Sequence, residues 1–413
     1  MKKISAAAWC LYDAGATAFA TVVMAVVLPI YYQSVVAGGK SAAWALSSWG
    51  YASSLALFLG AVLTPVLGSW SDRRPVKKAT LFVFAAVGSA ASAALALVGP
   101  GDWLAALALL VTGSVALSAA SVCYDSLLPS VAAPGELDKL SAIGYGLSYL
   151  GGGVLLAVDL WMISRWGLTG VRMGFLSVGL WWFALTLPFM RFVDEPPVAS
   201  ADGGLSAALR ELRQTWNELK QYPEAFRFLL AFWLYNDGIG TIVRMAALFG
   251  AGVGLSSDSL ALAMLLTQFV GVPAALAFAF SAGRFGAKRL LTGSLLWYLA
   301  ICLAAPFITK NWHFWMMAVA VGLVQGGSQS ISRSLFASMI PPERSGHFFG
   351  LYSLSSKFAG IVGPMLCGLT ASITGKPHAA IAVIGLTFAG GLIILRFVDV
   401  ERGRRRIHSD ERR

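Results

Sequence analysis

The sequence predicts an all-α, polytopic integral membrane protein with twelve spanning helices in two six-helix halves. Three observations carry this. First, 57% of the 413 residues are hydrophobic and only 12% are charged, with mean hydropathy +0.71, whereas soluble domains carry about 25% charged residues. Second, the apolar residues gather into runs near the ~20 residues a helix needs to cross a bilayer. They do not alternate polar and apolar as barrel strands do. Third, Lys and Arg are unevenly shared between loops. With the amino terminus inside, 23 fall on the cytoplasmic side and 5 outside, so the positive-inside rule puts both termini in the cytoplasm.

The runs follow in order. Run 6–36 comes after Lys2-Lys3 and holds Asp13; its length and its acid read as a retained first helix, not a cleaved leader. Run 44–70 ends at the basic turn Asp72-Arg73-Arg74-Pro75-Val76-Lys77-Lys78, and 78–99 follows. Run 103–129 holds Asp125 and closes at Pro129. Run 140–163 contains Gly151-Gly152-Gly153, small residues that let helices approach closely, and Asp159 near its outer end. Run 170–193 completes the first half. The polar linker 194–225 opens with Asp194-Glu195-Pro196-Pro197 and carries an amphipathic surface helix over 205–219. The second half comprises 226–252, 258–282, 289–308, 312–339, 347–373 and 378–398. Gly360 and Gly363-Pro364 mark a bend in the eleventh run. The chain thus divides into 1–193, the linker 194–225, 226–398 and a basic tail 399–413, a tail whose charge suits anionic lipid better than nucleic acid. Trp161, Trp166, Trp181, Trp182 and Trp312 fit interfacial belts. Cys10, Cys123, Cys302 and Cys367 are widely spaced within runs and read as small core residues.

The halves are self-similar. The basic turn after run two matches Gly283-Arg284-Phe285-Gly286-Ala287-Lys288-Arg289 after run eight. Tyr12-Asp13-Ala14-Gly15 in run one matches Tyr235-Asn236-Asp237-Gly238 in run seven. Tyr124-Asp125-Ser126-Leu127 in run four matches Ser332-Arg333-Ser334-Leu335 in run ten. Parallel repeats of this kind place a solute site between the halves, near the midplane.

Charges inside apolar runs point to that site, because each costs roughly 2.5–3.5 kcal/mol at bilayer depth by insertion scales. Asp237 and Arg244 lie two turns apart on one helix face, with Thr241 extending the stripe and Asp237 about 16 Å from the start of its run. Asp237 reads as a proton carrier or an ammonium ligand, or else as the structural partner of Arg244 or Lys357. Asp13 reads as lining the inner mouth, or as a packing contact. Arg333 and Lys357 suit a substrate carboxylate, or, for Arg333, a gate against Asp125 or Asp13. Tyr12, Asn236 and Gln329 are polar neighbours able to bind solute or to glue helices together. Asp72, Arg73 and Asp125 read as gate or hinge residues. His313, His347, His378 and His408 fall at run ends or in the tail. The sequence carries no HExxH, Walker loop or GxSxG motif, so neither a metal nor a cofactor is expected, an enzyme is disfavoured, and energy must come from gradients.

Gly68-Ser69-Trp70-Ser71-Asp72-Arg73, with the basic residues after it, resembles the signature loop of the major facilitator superfamily. That likeness implies two six-helix bundles rocking about a cavity lined by helices 1, 4, 7 and 10. Trp9-Cys10-Leu11-Tyr12-Asp13, Tyr145 to Gly153, Tyr235 to Ile242, Gly326 to Phe336 and Phe348 to Tyr352 together resemble the autophagy-linked vacuolar amino-acid effluxer family, in the manner of its bacterial members. The resemblance runs over about 6–398 and departs at Gly283, which stands where the first basic turn has Asp72. It implies a secondary transporter of amino acids in a bacterial inner membrane, working by alternating access, with a monomer sufficing; the mixed intramembrane charges are equally compatible with a related zwitterion or an organic anion moved with protons as a coupling partner. A transporter-fold receptor or scaffold, and a lipid-moving protein, are the alternatives.

Overall fold

The computed structural model describes residues 2–72, 75–131, 137–195, 217–340, 348, 351–352, 355–356 and 358–410. Among them every regular element is helical. The elements are α1 (Lys2–Ala18), α2 (Leu28–Tyr31), α3 (Ala42–Asp72), α4 (Lys77–Ala94), α5 (Trp103–Val131), α6 (Leu137–Trp166), α7 (Leu168–Phe192), α8 (Pro223–Gly252), α9 (Ser257–Phe285), α10 (Ala287–Ala304), α11 (Asn311–Ala337), α12 (Val362–Thr374), α13 (Pro377–Ala382), α14 (Gly385–Arg396) and α15 (Val400–Asp410). Seven of the described helical stretches are long and apolar enough to cross a membrane by themselves. Their outer faces carry large apolar side chains such as Leu97, Leu180, Phe307 and Ile373, each at least 70% exposed. Lipid tails are as apolar as leucine, so this outward greasiness is stable in a bilayer and would not be in water.

The first run is not the plain α-helix its pattern predicts. Wider π-helical turns occupy Phe19–Val27 and Tyr32–Val36, on either side of α2. Pro29 has no N–H for the carbonyl one turn back, and a local widening accommodates its ring.

Contacts divide the chain into two compact units, Met1–Lys40 with Leu55–Leu209, and Ser41–Ser54 with Arg210–Arg413. In the first unit α1 packs on α6 and α7, and α4 on α5 and α7. Glycine permits these approaches: Gly88 lies against the Trp182 ring, Gly113 against Phe19, and Gly151 so near Ala14 that a Cβ would come within 2.6 Å of the alanine methyl. Trp182 corrects the expected aromatic belt. It is wholly buried against Phe19 at a centroid distance of 5.7 Å, while Trp161, Trp166 and Trp312 are exposed. Consecutive helical residues point about 100° apart, so Trp181 and Trp182 do not share a face.

In the second unit α9 packs on α11, α8 on α14, and α10 on both α11 and α14. The opening turns of α3 belong here as well: Ser54 donates to the Ile361 carbonyl at 2.9 Å, and Tyr51 meets Ser372 at 3.2 Å. The second basic turn is a corner at Gly286, whose φ of +84° favours glycine. In the first, Asp72 ends α3, and Arg73 lies outside the described residues, as do Lys357 and His347. The bend expected in the eleventh run is a complete interruption. Gly360 sits at φ +103°, the chain turns through Ala359 and Gly360, and α12 starts afresh at Val362.

Candidate solute and proton site

In the second unit α8 presents the richest chemistry. Its inward stripe includes Phe228, Phe232, Tyr235, Ile239, Ile242 and Met245. Asp237 sits midway along the helix and is 4% exposed. Its Oδ1 accepts the Gly360 N–H at 2.5 Å. Its Oδ2 has no hydrogen-bond partner among the described residues, and the N–H groups of Val362 and Gly363 lie in the electrostatic surroundings of the carboxylate. The carboxylate therefore occupies the amino-terminal end of α12, where backbone donors are unsatisfied and the helix dipole is positive. A Cβ on Gly363 would stand 2.9 Å from Asp237 Oδ2 and would run into Thr241 Oγ1. Only glycine lets the two segments meet this closely.

The neighbours of Asp237 are mostly committed within the unit. Thr241 is wholly buried and donates to the Asp237 carbonyl at 2.7 Å. Tyr235 and Ser332 share a 2.7 Å hydrogen bond. Asn236 donates to Ser356 at 3.4 Å. Gly238 receives Thr387 and Phe388 of α14, a helix-packing role. Arg244 is different. Its guanidinium folds back over Gly240, is attracted electrostatically by Asp237, and keeps Nη1 buried without a hydrogen-bond partner. Arg333 and Gln329 stand on an exposed face of α11.

In the first unit Asp13 is half-buried and is held more weakly. Thr17, one turn on, approaches Oδ1 at 3.5 Å, and Ser148 and the like-charged Asp125 lie in its electrostatic surroundings. Tyr12 is buried against Tyr124 and Phe189, with ring centroids 5.2 Å away in each case. Trp9 stacks on Tyr124 at 4.2 Å and donates to its carbonyl at 3.2 Å. Asp125 is exposed on α5. Asp159, fully buried, accepts from Ser177 at 2.7 Å, a pairing that ties α6 to α7.

Several participants carry no ionisable signal in the sequence: the Gly360 N–H, Ser332, Ser356 and Ser177. The glycines at 360 and 363 before Pro364 are the only local hint of the first. Among the described residues no group of three or more His, Cys, Asp or Glu side chains could hold a metal ion, and the four cysteines are free and buried.

A family model described as "Vacuole effluxer Atg22 like" matches residues 1–137 and 134–408. An uncharacterized MFS-type transporter of Bacillus subtilis (strain 168), YxiO, is 32% identical over 403 residues, covering 95% of this chain and 94% of that protein. Autophagy-related protein 22-1 of Aspergillus niger is 26% identical over 65% of this chain and 48% of its own length. Among solved structures, the nucleoside transporter NupG superposes with a TM-score of 0.70 at 16% identity, covering 95% of this chain and 98% of that one, a likeness of fold. The chain belongs to the Atg22-like vacuole effluxer family, and with its relatives it is an integral membrane transporter of the major facilitator type, not an enzyme.

Proposed function

We propose that the protein is a twelve-span secondary transporter that moves a small zwitterion, an amino acid or close relative, by alternating access and with proton coupling. Two buried, oppositely charged atoms on one helix carry the reading: Asp237 Oδ2 and Arg244 Nη1 both lack partners. Buried polar atoms cost about 1–3 kcal/mol when left unsatisfied, and a ligand with an ammonium and a carboxylate satisfies both at once. The guanidinium lies at the level of Gly240, three residues beyond Asp237 and thus about 4.5 Å along the axis. That separation suits the two ends of an α-amino acid. Without solute, a proton on Asp237 Oδ2 removes the same buried charge, which couples the two ligands through competition. An organic anion moved with a proton would use the same pair.

In this reading Asp13 is a second proton or amine site. Arg333 and Lys357 supply positive charge for the carboxylate, and Tyr12, Asn236, Thr241 and Gln329 shape the polar surroundings. Asp72, Arg73 and Asp125 gate the cycle. The membrane is the bacterial inner membrane, with both termini cytoplasmic and the halves divided as 1–193 and 226–398.

The test is a thermal-shift screen of the purified chain against amino acids, organic acids and nucleosides, since a ligand that prefers the folded state raises its apparent stability. The expected result is stabilisation by one zwitterion, lost in both Asp237→Asn and Arg244→Gln. Stabilisation that survives both substitutions removes the pair from the site.

A further inference from the structure

The helix break that anchors Asp237 is gripped from a second side. Gly360 turns the chain at φ +103°, a conformation open to glycine, and Ile361 is the cap residue from which α12 starts. Pro364 stands in the first turn of α12, where its missing N–H removes one donor that would have no partner. From α8, Asp237 Oδ1 accepts the Gly360 N–H. From α3, Ser54 Oγ donates to the carbonyl of Ile361, the next residue, at 2.9 Å. Two adjacent residues of the break are thus bonded to two different helices, one through its N–H and one through its C=O.

The sequence of α3 is shaped for this contact. Ser47, Gly50 and Ser54 follow one another at helical spacing and share a face. A Cβ on Gly50 would come within 2.5 Å of the Pro364 carbonyl oxygen, and a Cβ on Gly368 would stand 3.0 Å from the Ser47 carbonyl oxygen. Glycine at both places lets the backbones touch, and that approach brings the Ser54 hydroxyl, 7% exposed, within reach of Ile361. Ser54 is also the last residue of α3 that belongs to the second unit. The same helix runs on without a break to Asp72, as part of the first.

The grip from α8 depends on charge. Arg244, on α8 itself, is the charge that acts on Asp237. The neighbouring elements bring neutral groups: Thr387 and Phe388 of α14 against Gly238, Ser332 of α11 against Tyr235, and, on α12, Cys367, which is buried and donates to the Ala380 carbonyl at 3.1 Å. A hydrogen bond to an ionised acceptor is roughly twice as strong as one to a neutral acceptor. A proton on Asp237, or a solute ammonium drawing its charge away, therefore slackens the Gly360 N–H. The Ile361 carbonyl, fixed in the same turn, then loses its orientation toward Ser54.

We propose that Ser54 is a positioning residue of the transport cycle, and that the turn at Gly360 and Ile361 relays the occupancy of Asp237 to α3. The relay rests on the reading of Asp237 as a proton or amine site. It gives that site an output: the helix that leads to Asp72.

Hydrogen–deuterium exchange over 358–365, in the full chain in micelles and corrected for intrinsic exchange, tests it in a double-mutant cycle. Asp237→Asn should speed exchange about tenfold, since a charged acceptor becomes a neutral one. Ser54→Ala should speed it about fivefold, the loss of one neutral hydrogen bond. Because both bonds hold one turn, the double variant should exchange no more than about twofold faster than Asp237→Asn, where independent contacts would give about fiftyfold over the parent. Ser54→Thr keeps the hydroxyl and should stay near the parent, which separates the lost bond from a damaged fold. Moving the parent from mildly alkaline to mildly acid pH should reproduce the Asp237→Asn effect. Rates that multiply in the double variant, or a Ser54→Ala variant indistinguishable from the parent, overturn the relay and leave Asp237 as a site. The expected cycle without a response to acid upholds the relay and removes the proton from Asp237.

Discussion

Asp13 and Asp237 stand in similar local patterns, the first directly after Tyr12 and the second directly after Tyr235-Asn236, each with a threonine one turn on, yet they are held differently. Thr17 reaches the Asp13 carboxylate only at 3.5 Å. Thr241 turns to the Asp237 backbone carbonyl, because the Asp237 carboxylate is taken by the interrupted helix through Gly360. The helix that meets α1 near Asp13 is continuous through Gly151-Gly152-Gly153. The segment that meets Asp237 is broken at Gly360. A duplicated sequence pattern has thus become one loosely held acid and one acid locked to a backbone break. The tyrosines diverge in parallel. Tyr12 meets the ring of Tyr124, and Tyr235 meets the hydroxyl of Ser332.

This contrast is open to direct attack. The largest difference is expected between Asp237→Ala and Asp13→Ala. The first strips the α12 start of a charged acceptor and should cost about 1.5–3 kcal/mol, while the second should cost under about 1 kcal/mol. Thermal unfolding in micelles reads both, and a reversed order would break the comparison. Next comes Gly363→Ala, which forces a methyl onto Thr241 and Asp237 and should destabilise by about 1–3 kcal/mol. Gly153→Ala, whose Cβ would meet nothing within 4 Å, should stay within about 0.5 kcal/mol of the parent. The smallest difference concerns the tyrosines: Tyr235→Phe should lose about 1 kcal/mol with its hydrogen bond to Ser332, whereas Tyr12→Phe keeps both ring contacts and should be neutral by the same assay.

What the sequence made visible follows from what is expensive in a membrane. Charges stand out against apolar runs, so Asp13, Asp237 and Arg244 could be found by composition alone, and the repeat located Tyr124 and Ser332 as equivalents. The anchor of Asp237 could not be found that way. Its partner is a main-chain N–H 123 residues away, and an amide has no residue type. Trp182 escaped for another reason: lipid and protein core are equally apolar, so periodicity yields a face but not which solvent it meets. The π-helical turns near Pro29 were hidden because they keep the same hydrophobic composition as the α-helix they replace. In sequence Glu224 is only part of the polar linker, yet it is buried with both oxygens engaged, since its partners are one turn away and 175 residues away.

The most direct measurement is solute flux into proteoliposomes with and without a pH gradient, for the parent chain, Asp237→Asn and Asp13→Asn. Asparagine keeps a carbonyl acceptor for the Gly360 N–H, so the fold survives while the titratable charge is lost. The account predicts that gradient-driven flux collapses in Asp237→Asn and is only reduced in Asp13→Asn. Undiminished, gradient-dependent flux in Asp237→Asn would contradict it.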